Sequence, residues 1–415
     1  MPKVGIEFFI ARRISSREGG PKNVMVRIAT VTVAVSMAVM IVALAVIFGF
    51  KRDITQKLTA FAGDIEIVYL DGNSSYETHP ITRNPALEEA IRGLPDFKSI
   101  YPYAVKGGII KTDEAMQGVM LKGVDAEYDW SFFEASLTGG RIPQITDTAR
   151  TREILISKSL SDMLRIGLGD RIEMLFVDET SPRRDQFKVA GIYNTGLAEM
   201  DRVMVMGDLK IVQRRNGWSA DQLTGYEVNI RDFGQLDRAE EDVYRAIMRT
   251  DTPEGESLMA MTVREMYPQL FDWLKAHDVN AAVIIVIMLV VALLNMISAL
   301  LIILLERTRM IGELKALGMT NRALQKIFVM RSAFIVLKGM IWGNALGIGL
   351  CLVQKYTHIA KLDEAGYFLS EVPVQLGAGW LAALNAGAFV LIVALLVIPT
   401  SVVSRIRPDK TIRYQ

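Results

Sequence analysis

The sequence predicts a membrane protein with four transmembrane α-helices and a large extracytoplasmic α/β domain between the first and second. Three observations predict it. Charged residues make up 22% of the 415 positions, yet they are almost absent from four apolar stretches and dense in one block, residues 51–278. Each apolar stretch is long enough to cross roughly 30 Å of hydrocarbon at about 1.5 Å per residue. The basic residues also alternate from side to side as the positive-inside rule requires.

The chain divides in order. Residues 1–23 form a cytoplasmic N-terminal segment in which Val4–Ile14 (VGIEFFIARRI) reads as an interfacial helix or as a plain start to the first span. Residues 24–50 are the first span, with Arg27 at its edge. Its apolar core is longer than that of a signal peptide and its exit, Phe48-Gly49-Phe50-Lys51, offers no small-x-small cleavage site, so a retained anchor is expected. Residues 51–278 are the outer α/β domain. Residues 279–305 are the second span, 306–326 a cytoplasmic coupling helix, 327–354 the third span, 355–379 an outer loop, 380–403 the fourth span and 404–415 a cytoplasmic tail. Lys3, Arg12, Arg13, Arg17, Lys22 and Arg27 outnumber Glu7 and Glu18 at the N-terminus, and the tail and the 306–326 loop show the same excess. The loop between spans three and four carries Asp363, Glu364 and Glu371 instead, which places both termini in the cytoplasm.

Within the outer block, residues 64–70 read as a strand, and 103–112 with 116–124 as a hairpin about a polar turn. Residues 157–165 read as a serine-capped helix ended by Gly167-Leu168-Gly169-Asp170, and 171–177 with 186–193 as paired strands joined by 178–185. Strands over 153–156 and 226–230 and helices over 236–249 and 262–276 complete an α/β pattern whose strand order stays open.

Several chemistries are excluded. No Gly-x4-Gly-Lys-Ser/Thr loop occurs, so ATP hydrolysis is not expected of this chain. His79, His277 and His358 lack ligand spacing, and no bound metal or catalytic residue is expected. The net charge of +1 gives no field for nucleic acid. The single cysteine, Cys351, lies in an apolar segment and reads as a small hydrophobe.

The positive signals lie in the membrane half. In residues 306–320, ERTRMIGELKALGMT, the residues Met310, Ile311, Leu314 and Leu317 share a helical face, Arg309, Glu313 and Lys315 spread elsewhere, Gly312 sits among them, and Gly318 is placed for a left-handed cap. A short cationic helix between two spans suits docking of a cytoplasmic partner; the alternative is a helix resting in the lipid headgroups. Gly339, Gly343 and Gly347 form a small-xxx-small ridge that packs against a helix of the same chain or of a second copy. Arg331 is placed to reach the cytoplasmic edge, whereas Lys338 lies deeper and calls for a polar partner, acidic partner or water.

The chain resembles the MacB/FtsX-like ABC permease superfamily, and within it the lipoprotein-releasing permeases. The resemblance rests on FIARR at 9–13, the Gly49–Arg52 exit, the coupling segment, YFLSEVP at 367–373 and the tail IRPDKTIRY at 406–414. One departure stands: where many members place an acidic residue before the Ile–Gly pair, this chain has Met310, with Glu313 following. The resemblance implies a non-catalytic permease subunit in the bacterial inner membrane. It implies pairing with a second permease copy or paralogue and with a cytoplasmic ABC ATPase dimer that holds the ATP and Mg, so that no cofactor binds this chain. Lipoproteins would be taken from the outer leaflet of the inner membrane and passed to a periplasmic chaperone. It further implies acyl-chain contacts, for which Met37, Met40, Ile41, Leu44 and Phe48, with Met288 opposite, are candidates, and a chaperone-binding loop at 178–185, with Pro182, Arg183 and Arg184 as candidates. Two other functions stay open: efflux or export of a small molecule or peptide by the same machine, and a signalling scaffold that controls a cell-wall hydrolase.

Overall fold

In the computed structural model the described residues are 24–70, 79–112, 115–176, 183–252, 255–362, 369 and 371–400. The N-terminal segment with Val4–Ile14, the tail at 406–414, and Tyr367, Phe368 and Ser370 of the 367–373 motif lie outside them.

The chain forms two compact units. One gathers residues 1–51, 273–360 and 372–415; the other gathers 52–272 and 361–371. The membrane unit is built on four helices long and apolar enough to cross a bilayer. They are α1 (Val24–Ala62), α9 (Pro268–Glu306), α11 (Asn321–Thr357) and α12 (Ala378–Thr400), with the short α10 (Thr308–Ala316) between the second and third. Helices α1 and α9 each run 39 residues, about 58 Å at the helical rise, so each continues well past the end of its apolar stretch. No proline and no helix-stopping glycine cap interrupts α1 between Phe50 and Ala62, which is why the helix outlasts its hydrophobic run. It ends at Gly63, whose φ of +71° a side chain would strain.

The start of α9 has an equally local cause. Thr262 and Glu265 form a reciprocal capping box on the short helix α8 (Val263–Met266). Pro268 then disfavours helical geometry at Tyr267, so the expected single helix from 262 breaks there and restarts.

The α/β unit holds strands β1 (Ile65–Tyr69), β2 (Ile81–Thr82), β3 (Phe97–Lys111), β4 (Met116–Val124), β5 (Leu137–Gly140) and β6 (Glu153–Ser157). They are followed by β7 (Arg171–Phe176), β8 (Arg183–Tyr193), β9 (Met204–Asp208), β10 (Gln222–Leu223), β11 (Gly225–Ile230) and β12 (Leu258–Thr262). Its helices are α2 (Pro85–Arg92), α3 (Ser131–Ala135), α4 (Lys158–Leu164), α5 (Ala198–Asp201), α6 (Leu209–Asn216) and α7 (Leu236–Arg249). The main sheet runs β12-β1-β11-β3-β4-β9-β6-β8-β5, and β7 pairs with both β3 and β8. The pairings β3-β4-β9-β6-β8-β7 therefore close on themselves, while β11, β1 and β12 continue from β3 as an open arm. The fifteen-residue β3 serves both parts: its first half pairs with β11, its second with β4.

Local signals account for several elements. Ser157 caps α4 by accepting from Leu160 N. The helix stops in a left-handed residue, but that residue is Arg165 at φ 51°, two positions before the expected glycine turn. Asn84 caps α2, and Gly217 at φ 73° closes α6.

Candidate functional site

The coupling helix is the first part of the candidate site. Leu317 closes it, Gly318 adopts φ +90°, and two bonds follow: Gly318 N donates to Lys315 O and Met319 N to Leu314 O, each at 3.0 Å. This is the glycine-dependent stop expected from the sequence. The helix uses its apolar face differently from the expectation. Ile311 is fully buried, and Met310 and Leu314 pack against the hydrophobic cluster of the membrane unit, so these three hold the helix to its own chain. Leu317 is 83% exposed. Glu313, Ala316 and Leu317 form the outward surface, Lys315 is half-buried, Gly312 is buried, and Arg309 lies in the first turn. The surface left open on this helix is therefore Glu313, Ala316 and Leu317, not the whole apolar face.

The glycine ridge resolves onto the first span of the same chain. A Cβ on Gly339 would come within 2.7 Å of Val33 Cβ, one on Gly343 within 2.6 Å of Met37 Cβ and of Ala34 O, and one on Gly347 within 3.0 Å of Ile41 Cβ. The backbones approach only because these positions lack side chains. Met37, Met40 and Ile41, candidates for acyl-chain contact, are buried by contacts within the chain. Leu44, Phe48 and Met288 are half-buried. The exposed face of α1 is instead Val31, Val35 and Val39, and α9 exposes Val283, Val286, Ile287, Val290 and Leu294. Only 22% of the apolar window of α9 is buried, against 50% for α1, so most of α9 is left for lipid or a partner helix.

Arg331 is inside the bundle at 4% exposure, and Lys338 lies on the surface. Neighbouring helices cover α11 at the level of Arg331 and not at that of Lys338. Nearby, Asn344 and Asn385 bond reciprocally between α11 and α12, at 2.7 and 3.0 Å. Each amide also donates to the carbonyl four residues back in its own helix, so neither depends on water.

Four successive residues clasp the C-terminal end of the first apolar stretch. Phe48 packs on Trp380 with centroids 5.5 Å apart, and Gly49 sits against the Pro373 carbonyl, where a Cβ would come within 2.3 Å. Phe50 meets Trp273 and His277, and Lys51 pairs with Asp278 at 2.5 Å. Phe50 and Lys51 tie α1 to α9, Phe48 ties it to the first turn of α12, and Gly49 to the run before α12.

The last turn of α1 is fastened within the α/β unit. Lys122 on β4 and Glu227 on β11 are each 2% exposed and form an ion pair, and Lys122 Nζ also donates to the Phe61 carbonyl. Tyr128 Oη donates to the Ala60 carbonyl at 3.1 Å. Both carbonyls belong to the final turn, where no backbone donor remains. Burial pushes the Glu227 carboxyl up while Lys122 opposes it. Glu66 on β1 accepts from Tyr103 Oη at 2.8 Å, and burial together with the nearby Glu227 raises its pKa to about 7. This cluster escaped the sequence reading. Its signal was present: Glu66, Lys122 and Glu227 are each the single charge in an otherwise uncharged strand.

In the candidate chaperone loop, Pro182 lies outside the described residues. Arg183 and Arg184 are not loop residues: they open β8, opposite Phe176 and Leu175 of β7. The ladder runs further toward the tip than the sequence suggested, because Arg184 pairs across it with Glu173 at 3.5 Å and Asp185 is buried against Arg215 at 2.6 Å. No cluster of three or more metal-ligating groups occurs among the described residues.

The family model described as FtsX-like permease C-terminal matches residues 282–408, and the MacB-like periplasmic core domain matches residues 28–246. The lipoprotein-releasing system transmembrane protein LolC of Xylella fastidiosa (strain 9a5c) is 22% identical over 92% of each chain. LolC of Neisseria meningitidis is 21% identical over 99% of this chain and 98% of its own, and LolE of Haemophilus influenzae is 21% identical over 98% of each. Among solved structures, the extracellular domain of the noncanonic ABC-type transporter YknZ from Gram-positive bacteria is 17% identical, covering 47% of this chain and 98% of that one at a TM-score of 0.32. The periplasmic region of MacB from Actinobacillus actinomycetemcomitans is 13% identical, covering 52% and 98%, at 0.33.

Proposed function

From the premise that this chain belongs to the FtsX-like permease family with a MacB-like periplasmic core, we propose that it is the permease subunit of an ATP-driven complex that releases lipoproteins from the inner membrane. In this reading lipoproteins leave the outer leaflet and pass to a periplasmic chaperone. The observation that carries the proposal is near full-length similarity, at 92% to 98% of their own length, to relatives named for lipoprotein release.

ATP is hydrolysed by a separate ATPase dimer in the cytoplasm, which docks on the outward face of α10 around Glu313, Ala316 and Leu317. Both termini are cytoplasmic in this reading. A pull on α10 reaches α1 and α9, and the unbroken 39-residue length of each supports transmission by rigid rods. A second permease copy or paralogue covers the exposed valine faces of α1 and α9. The acyl chains run along that seam, past Leu44, Phe48 and Met288, with the buried Met37, Met40 and Ile41 reached only by spreading α1 from α11. The β7–β8 hairpin, with Arg183 and Arg184 near its tip, is the chaperone contact.

The decisive experiment depletes the chain in cells and follows lipoproteins by membrane fractionation. Retention in the inner membrane is the expected result. Normal sorting to the outer membrane refutes the proposal and moves the assignment to export or to signalling.

A further inference from the structure

A cavity of about 290 Å³ lies in the α/β unit over the face of the open sheet arm, and it is separate from everything assigned to lipoprotein release. Strand register builds its floor. Met259 of β12 pairs with Val68 of β1, Val68 with Gly225 of β11, and Gly225 with Tyr103 of β3. In the neighbouring row Met261 pairs with Glu66, and Glu66 with Glu227. Gly225 leaves a gap in the middle of the floor. No side chain can fill it without shifting backbone, because a Cβ there would come within 2.4 Å of Ile67 O. Met120 and Met204, paired across β4 and β9, line the far end, and Tyr69, His79 and Tyr267 also line the cavity.

The charges in this cavity do not balance. Lys122 is committed to Glu227 and to the Phe61 carbonyl. Glu66 is left with one hydrogen bond among the described residues, from Tyr103, and no cation of its own. The groups that face it are Glu227 of β11, Lys122 of β4, Tyr103 of β3, and the cavity-lining Tyr69, His79 and Tyr267; of these only Lys122 carries a fixed positive charge. The methionines do not form a metal site. Those of β12 and those of β4 and β9 are separated by the three strands β1, β11 and β3, about 19 Å along the sheet, too far to converge on one ion. Their pliable thioethers serve instead as walls that adapt to a narrow apolar body. Tyrosine rings beside a carboxylate are a setting that favours an ammonium group.

We propose that this cavity binds an elongated organic cation, a primary alkylammonium or arylalkylammonium, with its charge against Glu66 and its apolar body between the two methionine pairs. Binding holds Glu66 ionised, so it releases a proton where the empty site is protonated, below about pH 7. Acid, which protonates Glu66, therefore weakens binding.

The test is titration calorimetry on the full-length chain in detergent with hexylammonium chloride at pH 6.5, in two buffers of different ionisation enthalpy. Hexanol and hexanoate are run alongside. Saturable binding with proton release is expected, at least tenfold tighter than for hexanol, and lost at least tenfold in Glu66→Gln. Binding of hexanol as strong as that of hexylammonium, or unchanged binding in Glu66→Gln, means partition into the micelle or the apolar walls and overturns the proposal. Preferential binding of hexanoate overturns it in favour of an anion site on Lys122. Should Glu66→Gln fold poorly, Met259→Phe, which narrows the cavity without touching a charge, must weaken hexylammonium binding; unaltered binding there overturns the proposal equally.

Discussion

Replacing Lys122 by methionine is the sharpest test of how the first span is fastened. The ammonium is 2% exposed and reaches Glu227 and the Phe61 carbonyl. Methionine keeps most of its volume, so cavity formation contributes little. What remains is a carboxylate at 2% exposure with no counter-charge and a helix-end carbonyl without its donor. Breaking a buried pair from one side costs about 3–5 kcal/mol. For a folding unit of this size that is a fall in thermal midpoint of roughly 6–20 °C. The double variant Lys122→Met/Glu227→Leu removes both charges and should regain most of the loss, remaining about 1–3 kcal/mol below wild type for the unsatisfied Phe61 carbonyl. Thermal unfolding of the purified full-length chain measures the first quantity, and hydrogen exchange over residues 55–62 reports whether the last turns of α1 fray. A loss below about 1 kcal/mol in the single variant, or a double variant as unstable as the single, would falsify the claim that this pair holds the helix end.

Other outcomes follow from the same geometry. Folded Glu66 titrates at about 7 and Asp64, Asp125 and Asp201 at about 6, against usual values of 4.5 and 3.8. The folded chain therefore holds extra protons across that window, and its stability falls as pH climbs from about 4 to 7. Glu66→Gln should match wild type near pH 4.5 and be the more stable at pH 8; identical pH profiles would exclude the raised carboxyl. Gly343→Leu must push α11 from α1 and lower stability by at least ~1–3 kcal/mol, as overpacking does, whereas Gly349→Ala, with nothing within 4 Å of its added Cβ, should not lower the unfolding midpoint. Leu317→Asp should abolish ATPase co-purification while the permease stays inserted and folded; Leu314→Asp should instead lower the permease's own stability. Equal behaviour of the two variants would count against the division of the coupling helix into an inward and an outward face.

Some of this molecule can be read directly from its residues. The four spans, the capping serine of α4, the hairpin of β3 and β4, and the glycine stop at Gly318 depend on neighbours within a few positions, so hydropathy and turn chemistry suffice to find them. The resemblance of short motifs to a permease family was equally local, and the family models bear it out. Only the tertiary structure decided what each exposed or small side chain meets. Periodicity put Met310, Ile311, Leu314 and Leu317 on one face, but packing against the membrane helices took up three of them and left one out. The ridge Gly339–Gly343–Gly347 announced a close helix approach without naming α1 as the partner. Glu66, Lys122 and Glu227 come from strands up to 161 residues apart in sequence, and no local preference records such a meeting. A charge inside an apolar strand is tolerable only when a distant partner compensates it, and that compensation is a property of the assembled sheet, not of any segment.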